Sequence, residues 1–278
     1  MTLDGLPPLR EALAAHGLSA DKRFGQHFLL DLNLTAKIVR LAELPEGAAV
    51  LEVGPGPGGL TRALLAAGAR VVAVEKDRRF LPLLAELADA ADGRLKVVEG
   101  DALKADQAAL LAEHAPGAPA AVVSNLPYNV GTPLFVDWLT GPFRPVSQTL
   151  MFQKEVADRI SAPAGEAAFG RLSVLAQALA HTQTVMALPA RAFTPPPKVD
   201  SAVIRATPRE DAPPPELTAA LERVTAAAFG QRRKMLRSSL KPLGGEALCA
   251  MAGVDPDARA ETVDVPGFLR LARAVLAG

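Results

Sequence analysis

Short runs of apolar, mostly β-branched residues alternate with Ala- and Leu-rich stretches from residue 48 to residue 155. We read five of these runs as strands: AVLEVG (49–54), RVVAVE (70–75), LKVVEGD (95–101), AVVSN (121–125) and QTLMFQ (148–153). Helical spacing is found in LNLTAKIVRLAEL (32–44), GGLTRALLAAG (58–68) and FLPLLAELADA (80–90). Continuous apolar strands separated by helices predict an α/β fold, in which helices cover both faces of a parallel sheet.

Later in the chain the pattern changes to an extended loop with a late strand, a linker and helices. In that order the segments are AFTPPPKVDSAVIRATP (192–208), REDAPPPE (209–216), LTAALERVTAAAFGQRRKMLRSSL (217–240) and PGFLRLARAVLAG (266–278). We therefore predict an α/β domain over residues 1–208, which includes a helical N-terminal extension. A small all-helical domain is predicted over residues 209–278.

The composition is that of a globular protein, since 49% of the 278 residues are hydrophobic and 22% are charged. Lys and Arg (30) balance Asp and Glu (30), so the overall charge gives no indication of nucleic-acid binding. Cys249 is the one cysteine and the histidines lie far apart, which excludes an internal disulfide and predicts no metal site. The first residues, MTLDGLPPLREALAAHG (1–17), lack a basic region followed by an apolar one, so we expect no leader peptide, and no apolar run reaches about 18 residues. We expect a soluble, cytoplasmic monomer with no membrane partner.

A glycine-rich loop, LEVGPGPGG (51–59), follows the first predicted strand and precedes a helix. At such a position the backbone turns sharply beside a ligand. Gly54, Gly56 and Gly59 satisfy the pattern GxGxxG, which favours a dinucleotide such as NAD. A purely structural alternative is a tight turn in which Glu52 is solvated.

Two features of this loop argue against a dinucleotide. A pyrophosphate needs backbone N–H donors, yet Pro55 and Pro57 each remove one. Glu52 places a carboxylate at the edge of the loop, where it would repel phosphate. S-adenosylmethionine carries an ammonium and a sulfonium group and no phosphate, so we predict that it is the cofactor.

Acidic residues end the next two predicted strands. Glu75 follows Gly54 by 21 residues, and its carboxylate could accept hydrogen bonds from both ribose hydroxyls, of NAD as well as of S-adenosylmethionine. Asp101 could accept from the exocyclic amine of the cofactor's adenine. Each acid alone could be a solvated strand terminus. Together they lie at the edge where open α/β sheets bind ligands, so we interpret them as cofactor residues.

The motif NLPY (125–128) ends the fourth predicted strand at the same edge. To attack a methyl sulfonium, an aromatic amine must become pyramidal, and acceptors on its N–H groups favour that change. The side-chain oxygen of Asn125 and the carbonyl of Leu126 could supply them, while Pro127 stiffens the turn. Tyr128, the only tyrosine, offers a ring for a stacked base. We interpret the motif as a clamp for adenine N6; a plain strand-to-loop turn is the structural alternative.

The ordered motifs resemble those of the ribosomal RNA adenine N6-dimethyltransferases, specifically the small-subunit, kasugamycin-sensitivity branch. The matching segments cover nearly the whole chain: KRFGQHFL (22–29), EVGPGPGGLT (52–61), VEKD (74–77), GDAL (100–103), NLPYNVGTPL (125–134), FQKEVADRI (152–160), GRLSVLAQ (170–177) and AFTPPPKVDSAV (192–203). The resemblance implies a Rossmann-like S-adenosylmethionine-dependent methyltransferase sheet with a small helical C-terminal domain. It places cofactor contacts on His27, Leu29, Gly54, Gly56, Glu75, Asp101 and Asn125.

The resemblance also bears on the roles of two residues, His27 and Phe193. The family pattern GQNFL has an asparagine where this chain has His27, whose geometry differs and whose charge can vary near neutral pH. A packing role at a helix start is the alternative for it. Phe193 would form the second aromatic wall of the base pocket in this family, whereas its chemistry alone favours a hydrophobic anchor for the Pro-rich loop.

Basic residues between positions 222 and 241 face one acid, Glu222. Arg233, Arg237 and Lys241 would form one stripe on a helix, and such a stripe is either a solvated face or a phosphate-binding surface. We predict RNA binding by the cluster and by two residues near the N-terminus: Arg232, Arg233, Lys234, Arg237, Lys241, Lys22 and Arg23.

The resemblance implies N6-dimethylation of two adjacent adenosines in the terminal hairpin loop of small-subunit rRNA, in the immature small ribosomal subunit. We expect direct in-line methyl transfer without a metal or a covalent enzyme intermediate. One alternative is another rRNA or DNA adenine N6-methyltransferase. A second is a ribosome-assembly or transcription factor that binds RNA with the same fold, and a dehydrogenase is the third.

Overall fold

The computed structural model describes residues 2–21, 25–128, 130–231 and 233–278, without the side chain of Asp4. The chain divides into two compact units. The first unit is Met1–Phe135, Phe143–Lys154 and Thr184–Ala206, and the second is Val136–Pro142, Glu155–Gln183 and Thr207–Gly278. Because the units interleave along the sequence, the division at residue 209 into two domains remains a proposal.

The strands of the described chain are β1 (Phe28–Leu29), β2 (Ala49–Val53), β3 (Arg70–Glu75), β4 (Leu95–Glu99), β5 (Ala120–Asn125), β6 (Ser147–Gln153), β7 (Ala180–Leu188), β8 (Phe193–Thr194) and β9 (Ser201–Pro208). The α-helices are α1 (Leu9–Ala15), α2 (Leu32–Ala42), α3 (Gly59–Ala66), α4 (Leu81–Ala90), α5 (Gln107–His114), α6 (Gly131–Thr140), α7 (Lys154–Ser161), α8 (Arg171–Leu179), α9 (Pro215–Phe229), α10 (Leu236–Ser239), α11 (Gly245–Ala252) and α12 (Val265–Ala277). No helix of this described part is long and apolar enough to cross a membrane.

Seven strands form the central sheet in the order β4-β3-β2-β5-β6-β9-β7. Its first five strands pair in parallel, and β9 is antiparallel to β6. All five strands predicted from the apolar runs are confirmed, with ends that differ by at most two residues. The chain moves outward from β2 in one direction through β3 and β4, and in the other through β5 and β6. This reversal makes β2 the switch point, where open α/β sheets bind ligands.

Backbone pairing between the two central strands stops short of their carboxyl ends. β2 and β5 pair from Ala49 to Leu51 and from Ala120 to Val122 only. Beyond that point the N–H of Val53 donates to the side-chain oxygen of Ser124 at 2.7 Å, in place of a backbone carbonyl. A buried serine therefore satisfies the last donor of β2, at the switch point where the backbone pairing with β5 has ended.

A hydrophobic core holds the first unit together. Strand residues such as Val50, Val71 and Val123 pack with Leu64 of α3 and Phe80, which are all fully buried. A small two-stranded sheet lies at the edge of this core, where Leu29 of β1 pairs with Phe193 of β8. The extended loop and late strand predicted over residues 192–208 are confirmed as β8, a Pro-rich connection and β9. The sequence reading missed β7, whose residues 181–184 are all polar.

The second unit is built mainly from α-helices and from the loops between them. α9 packs against α12, and α12 also contacts α8 and α11. Phe229 stacks on Phe268 with ring centroids 5.4 Å apart, and Phe169 meets Phe229 edge-on at 6.2 Å. The predicted helix over residues 266–278 is confirmed as α12.

The single basic helix predicted over residues 217–240 is wrong in its second half. α9 ends at Phe229 and is followed by Gly230. A side chain at position 230 would not fit without a shift, because its Cβ would lie 2.9 Å from the carbonyl oxygen of Ala226. The backbone N–H groups of Leu236 and Arg237 donate to the carbonyls of Ala258 and Pro256. These tertiary hydrogen bonds take the place of helical ones, so the chain turns here.

The predicted basic stripe is therefore distributed over three local structures. Arg233 lies in a turn, Arg237 in α10, and Lys241 at the start of a short 3₁₀ helix. The Arg237 guanidinium pairs with Asp257 at 2.8 Å, whereas Glu222 lies 3.8 Å from Arg171. Arg233, Lys234, Arg237 and Lys241 are all exposed. RNA binding by them stays a prediction, and Lys22, Arg23 and Arg232 lie outside the described residues.

Candidate functional site

A cavity in the first unit opens at the carboxyl ends of β2 to β5. It is lined by ten residues singled out from the sequence: His27, Leu29, Gly54, Gly56, Glu75, Asp101, Asn125, Leu126, Pro127 and Tyr128. Residues separated by up to about a hundred positions therefore meet in one place. This convergence is what the ends of parallel strands at a switch point provide.

The glycine loop needs glycine for both conformation and space. Gly54, Gly56 and Gly58 have positive φ angles of 69°, 52° and 81°. A Cβ on Gly54 would approach the ring of Pro127 to 3.3 Å. The glycine loop therefore lies directly against the NLPY turn, and residues of both motifs line the cavity.

Glu75 fixes the loop from the end of β3. Its carboxylate accepts from the N–H of Gly56 at 3.0 Å and from the N–H of Asp77 at 2.7 Å. Glu75 is buried, and burial is the largest cause that raises the pKa of this carboxyl group. A carboxylate has about four acceptor positions, so two remain for ligand hydroxyls.

Glu52 is buried, which rules out the solvated alternative weighed from the sequence. Its side chain is 2% exposed and accepts a hydrogen bond from the Thr61 hydroxyl at 2.6 Å. Burial raises the pKa of Glu52 from 4.5 to about 8. The group is therefore mostly protonated near neutral pH. Its charge repels phosphate less than the sequence suggested, whereas the missing N–H donors of Pro55 and Pro57 are unaffected.

This buried acid predicts a pH-dependent stability. Because the folded pKa of about 8 exceeds the ordinary 4.5, the folded protein binds more protons than the unfolded chain between these values. The stabilising contribution is complete below the lower value and is lost as pH rises through the higher. Wild type should lose this contribution to its free energy of unfolding as pH rises from 5 to 9. Glu52→Gln keeps an acceptor for Thr61 but has no proton to lose, so we expect its free energy of unfolding to rise relative to that of wild type by on the order of 3 kcal/mol over this range. Urea unfolding of both proteins across this range measures the gain, and parallel stability curves would contradict the prediction.

Asp101 lies two residues beyond β4 and is held by Lys76. The lysine Nζ is 3.0 Å from Oδ2 of Asp101, and the N–H of Leu103 donates to Oδ1 at 3.1 Å. The hydrogen bond from Lys76 is the largest cause that lowers the pKa of Asp101. The carboxylate stays ionised at neutral pH and can accept from an amino group in the cavity.

The NLPY turn is positioned by contacts with two other segments. The side-chain amide Nδ2 of Asn125 donates to the backbone carbonyl of His27 at 3.2 Å. This contact fixes the amide so that its Oδ1 remains an acceptor. The carbonyl of Pro127 accepts from the N–H groups of Val130 and Gly131, which begins α6 directly after the turn. The acceptor role of the Leu126 carbonyl stays a prediction.

The ring of Tyr128 is held at its edge and on one face. Its hydroxyl is 2.9 Å from Oγ of Ser201, the first residue of β9. The imidazole of His27 stacks on the ring with centroids 5.5 Å apart and an interplanar angle of 29°. The Tyr128 ring is therefore oriented before any base arrives.

Partial burial of Tyr128 gives a second prediction. Burial raises the pKa of its phenol above the ordinary 10.0, and the hydrogen bond with Ser201 opposes this shift. Tyr128 is the only tyrosine, so ultraviolet absorbance during an alkaline titration reports this phenol alone. We expect ionisation above the ordinary value, and still higher in Ser201→Ala. A titration midpoint at or below the ordinary value would contradict the structure.

Phe193 lies elsewhere in this arrangement. Its ring is 3% exposed within the core of the first unit, and among the described residues it is not one that lines the cavity. Its backbone pairs with Leu29. This burial is what a hydrophobic anchor for the Pro-rich loop requires, and a role for Phe193 as an aromatic wall of the base pocket stays a prediction.

Sequence reasoning missed the residues that secure the segment before β1. Gln26 donates through Nε2 to Asp77 at 2.9 Å and accepts from the N–H of Asp21 at 2.8 Å. Asp77 also pairs with Arg79 at 2.6 Å. Gln26 lies in the motif GQHFL and Asp77 in the motif VEKD, but nothing in the sequence pairs one motif with the other.

Within the described ranges, no group of three His, Cys, Asp or Glu residues could hold a metal ion.

Comparison with known proteins agrees with this geometry. The profile described as "Ribosomal RNA adenine dimethylase" matches residues 17–275. Two proteins named "Ribosomal RNA small subunit methyltransferase A" are similar over nearly their full lengths. The one from Phenylobacterium zucineum is 68% identical over 277 residues, which cover 100% of this chain and 95% of the relative. The one from Caulobacter vibrioides is 70% identical over 259 residues, or 93% and 98% of the two chains.

Solved structures show the same fold. A dimethyladenosine transferase from Plasmodium falciparum superposes with a TM-score of 0.71 at 24% identity, over 88% of this chain and 96% of the other. The 23S rRNA methyltransferase ErmE superposes with a TM-score of 0.68 at 30% identity, over 89% and 99%. The cavity at the switch point, the family profile and these relatives lead to one conclusion: the chain belongs to the ribosomal RNA adenine dimethylase family.

Proposed function

We propose that this protein dimethylates N6 of two adjacent adenosines in the 3′-terminal hairpin loop of small-subunit rRNA, during assembly of the small ribosomal subunit, with S-adenosylmethionine as methyl donor. One structural observation supports this most strongly. The Asn125 amide, anchored through Nδ2 to the carbonyl of His27, lines the same cavity as Glu75 and Asp101. An acceptor for an adenine amine and two acidic residues for a cofactor are thereby brought together.

The residues of the cavity suit S-adenosylmethionine. Glu75 has acceptor positions left for ribose hydroxyls, and the ionised Asp101 can accept from an adenine amine. Pro55 and Pro57 line the loop without N–H groups for phosphate. When bound, this cofactor supplies an electrophilic methyl group on a positively charged sulfur.

The residues of the NLPY turn would prepare the adenine for attack. Oδ1 of Asn125 and the Leu126 carbonyl would accept from the two N6 hydrogens, which favours a pyramidal nitrogen with an available lone pair. Tyr128 would stack on the base, which must be unpaired or flipped out to reach it. This chemistry requires positioning rather than a covalent intermediate.

The substrate assignment rests on the relatives. Those 68–70% identical are named for the small ribosomal subunit, whereas ErmE, a 23S rRNA methyltransferase, is 30% identical. The exposed Arg233, Lys234, Arg237 and Lys241 would contact RNA phosphates as part of a helical RNA-binding domain over residues 209–278. We further propose that the protein acts as a cytoplasmic monomer.

A substrate comparison tests this function. Purified protein and radiolabelled S-adenosylmethionine are incubated with small subunits that lack dimethyladenosine, with large-subunit RNA and with duplex DNA. We expect label only in the small-subunit RNA, recovered as N6,N6-dimethyladenosine near its 3′ end. Labelling mainly of large-subunit RNA or DNA would assign the chain to another adenine methyltransferase class.

A further inference from the structure

Three contacts of His27 within the described part of the chain join it to the NLPY turn and the Pro-rich loop. Its ring stacks on Tyr128, its Nδ1 lies 2.8 Å from the carbonyl oxygen of Pro195, and its own carbonyl accepts from Asn125. A carbonyl oxygen can only accept, so Nδ1 carries the hydrogen in this contact. The resemblance had placed His27 among the cofactor contacts, yet its side chain faces the proposed base-binding residues.

The stack determines how Tyr128 is presented. Ser201 holds the hydroxyl at 2.9 Å, and the imidazole covers one face of the ring. A ring held in this way has little rotamer freedom left to lose when a base stacks on its other face. Ordering of the ring in advance should therefore strengthen binding of the target nucleotide.

The contact with Pro195 extends the effect to a second segment. Pro195 follows β8, and the same connection leads to Ser201 at the start of β9. His27 and Ser201 thus connect Tyr128 with both ends of the Pro-rich loop. An asparagine at position 27 could donate one hydrogen bond to Pro195, but it has no ring to place against Tyr128.

We propose that His27 is a positioning residue for the target base, which backs the Tyr128 ring and ties it to the Pro-rich loop. This inference rests on the proposed function. It assigns to the His27 side chain a role toward the RNA substrate rather than toward the cofactor.

Two variants separate the parts of this role. His27→Asn keeps a side-chain donor and removes the stack, whereas His27→Phe keeps an aromatic ring and removes the hydrogen bond to Pro195. His181→Asn is the matched control, because His181 is exposed in β7 and is not among the described residues that line the cavity. The variants are compared as full-length proteins by steady-state kinetics and by calorimetric titration with S-adenosylmethionine.

Protein labelled with ¹³C in its tyrosine ring provides a readout independent of activity. Tyr128 is the only tyrosine, so the spectrum contains the ring signals of one residue. We expect His27→Asn to shift and broaden these signals, His27→Phe to retain sharp signals, and His181→Asn to match wild type. His27→Asn should also raise KM for the small subunit about 5–10-fold, the usual cost of ordering one side chain on binding, while kcat and the Kd of S-adenosylmethionine change less than about twofold.

Other results would overturn the inference. A Kd for S-adenosylmethionine raised about tenfold or more in His27→Asn, with Tyr128 signals unchanged, would return His27 to the cofactor. Unchanged KM and unchanged signals in His27→Asn would show that the stack does not orient the ring. If wild type leaves small subunits unmethylated, the proposed function fails, whereas the tyrosine signals still report whether His27 orders Tyr128.

Discussion

Asn125→Ala is expected to lower kcat for small-subunit methylation by about 10²–10³-fold, the usual cost of removing one preorganised polar group from a transition state. The substitution removes the acceptor proposed for adenine N6. It also removes the donor to the His27 carbonyl, which contributes about 0.5–1.5 kcal/mol to stability. Single-turnover kinetics with cofactor at saturation separate the chemical step from binding.

The matched control for this substitution is Asn33→Ala, an exposed position in α2. We expect the control to retain full kcat, and both variants to unfold within a few degrees of wild type. Asn125→Ala with turnover close to wild type would remove the clamp from the mechanism. A parallel loss of folding would show instead that the amide serves structure.

Glu75→Gln is expected to weaken S-adenosylmethionine binding by about 10–100-fold, since each hydrogen bond lost contributes about 1 kcal/mol and a buried donor left unpaired costs more. The carboxylate of Glu75 accepts from Gly56 with one oxygen and from Asp77 with the other. A glutamine has one acceptor oxygen, so its NH₂ group would face one of these two N–H groups. The glycine loop would shift, and one acceptor for the ribose would be lost.

Calorimetric titration with S-adenosylmethionine measures this effect. Glu99→Gln is the matched control, because Glu99 ends β4 beside Glu75 in the register but is exposed and paired with Arg78. We expect the control to bind within about twofold of wild type. Equal affinities for Glu75→Gln and wild type would mean that Glu75 does not contact the ribose.

The sequence was sufficient to predict the sheet and its ligand edge. β3 and β5 are short apolar runs that end at Glu75 and Asn125, and this local pattern specifies both a strand and its end. Because parallel strands end at one edge, it follows that Glu75, Asp101 and Asn125 approach each other. β7 lacks such a pattern, since its Thr and Gln residues are those of a partly exposed edge strand.

Other features depend on contacts between distant segments, which local patterns do not encode. The chain leaves the helical path after Phe229 because its backbone bonds to residues 256 and 258 instead. Tyr128 is oriented by Ser201, 73 residues away in the sequence, and Gln26 pairs with Asp77 across 51 residues. The buried state of Glu52 is likewise a result of packing, since its neighbours in the sequence gave only a charged loop edge.

The central claim is that an acceptor at the end of β5 activates adenine N6 in small-subunit RNA. It is tested most directly by mass spectrometry of the 3′-terminal RNA fragment from cells that lack this chain and are supplied with either wild type or Asn125→Ala. We predict two adjacent N6,N6-dimethyladenosines with wild type, and unmodified or partly methylated adenosines with Asn125→Ala. Full dimethylation by Asn125→Ala at equal protein levels, or none with wild type, would contradict the claim.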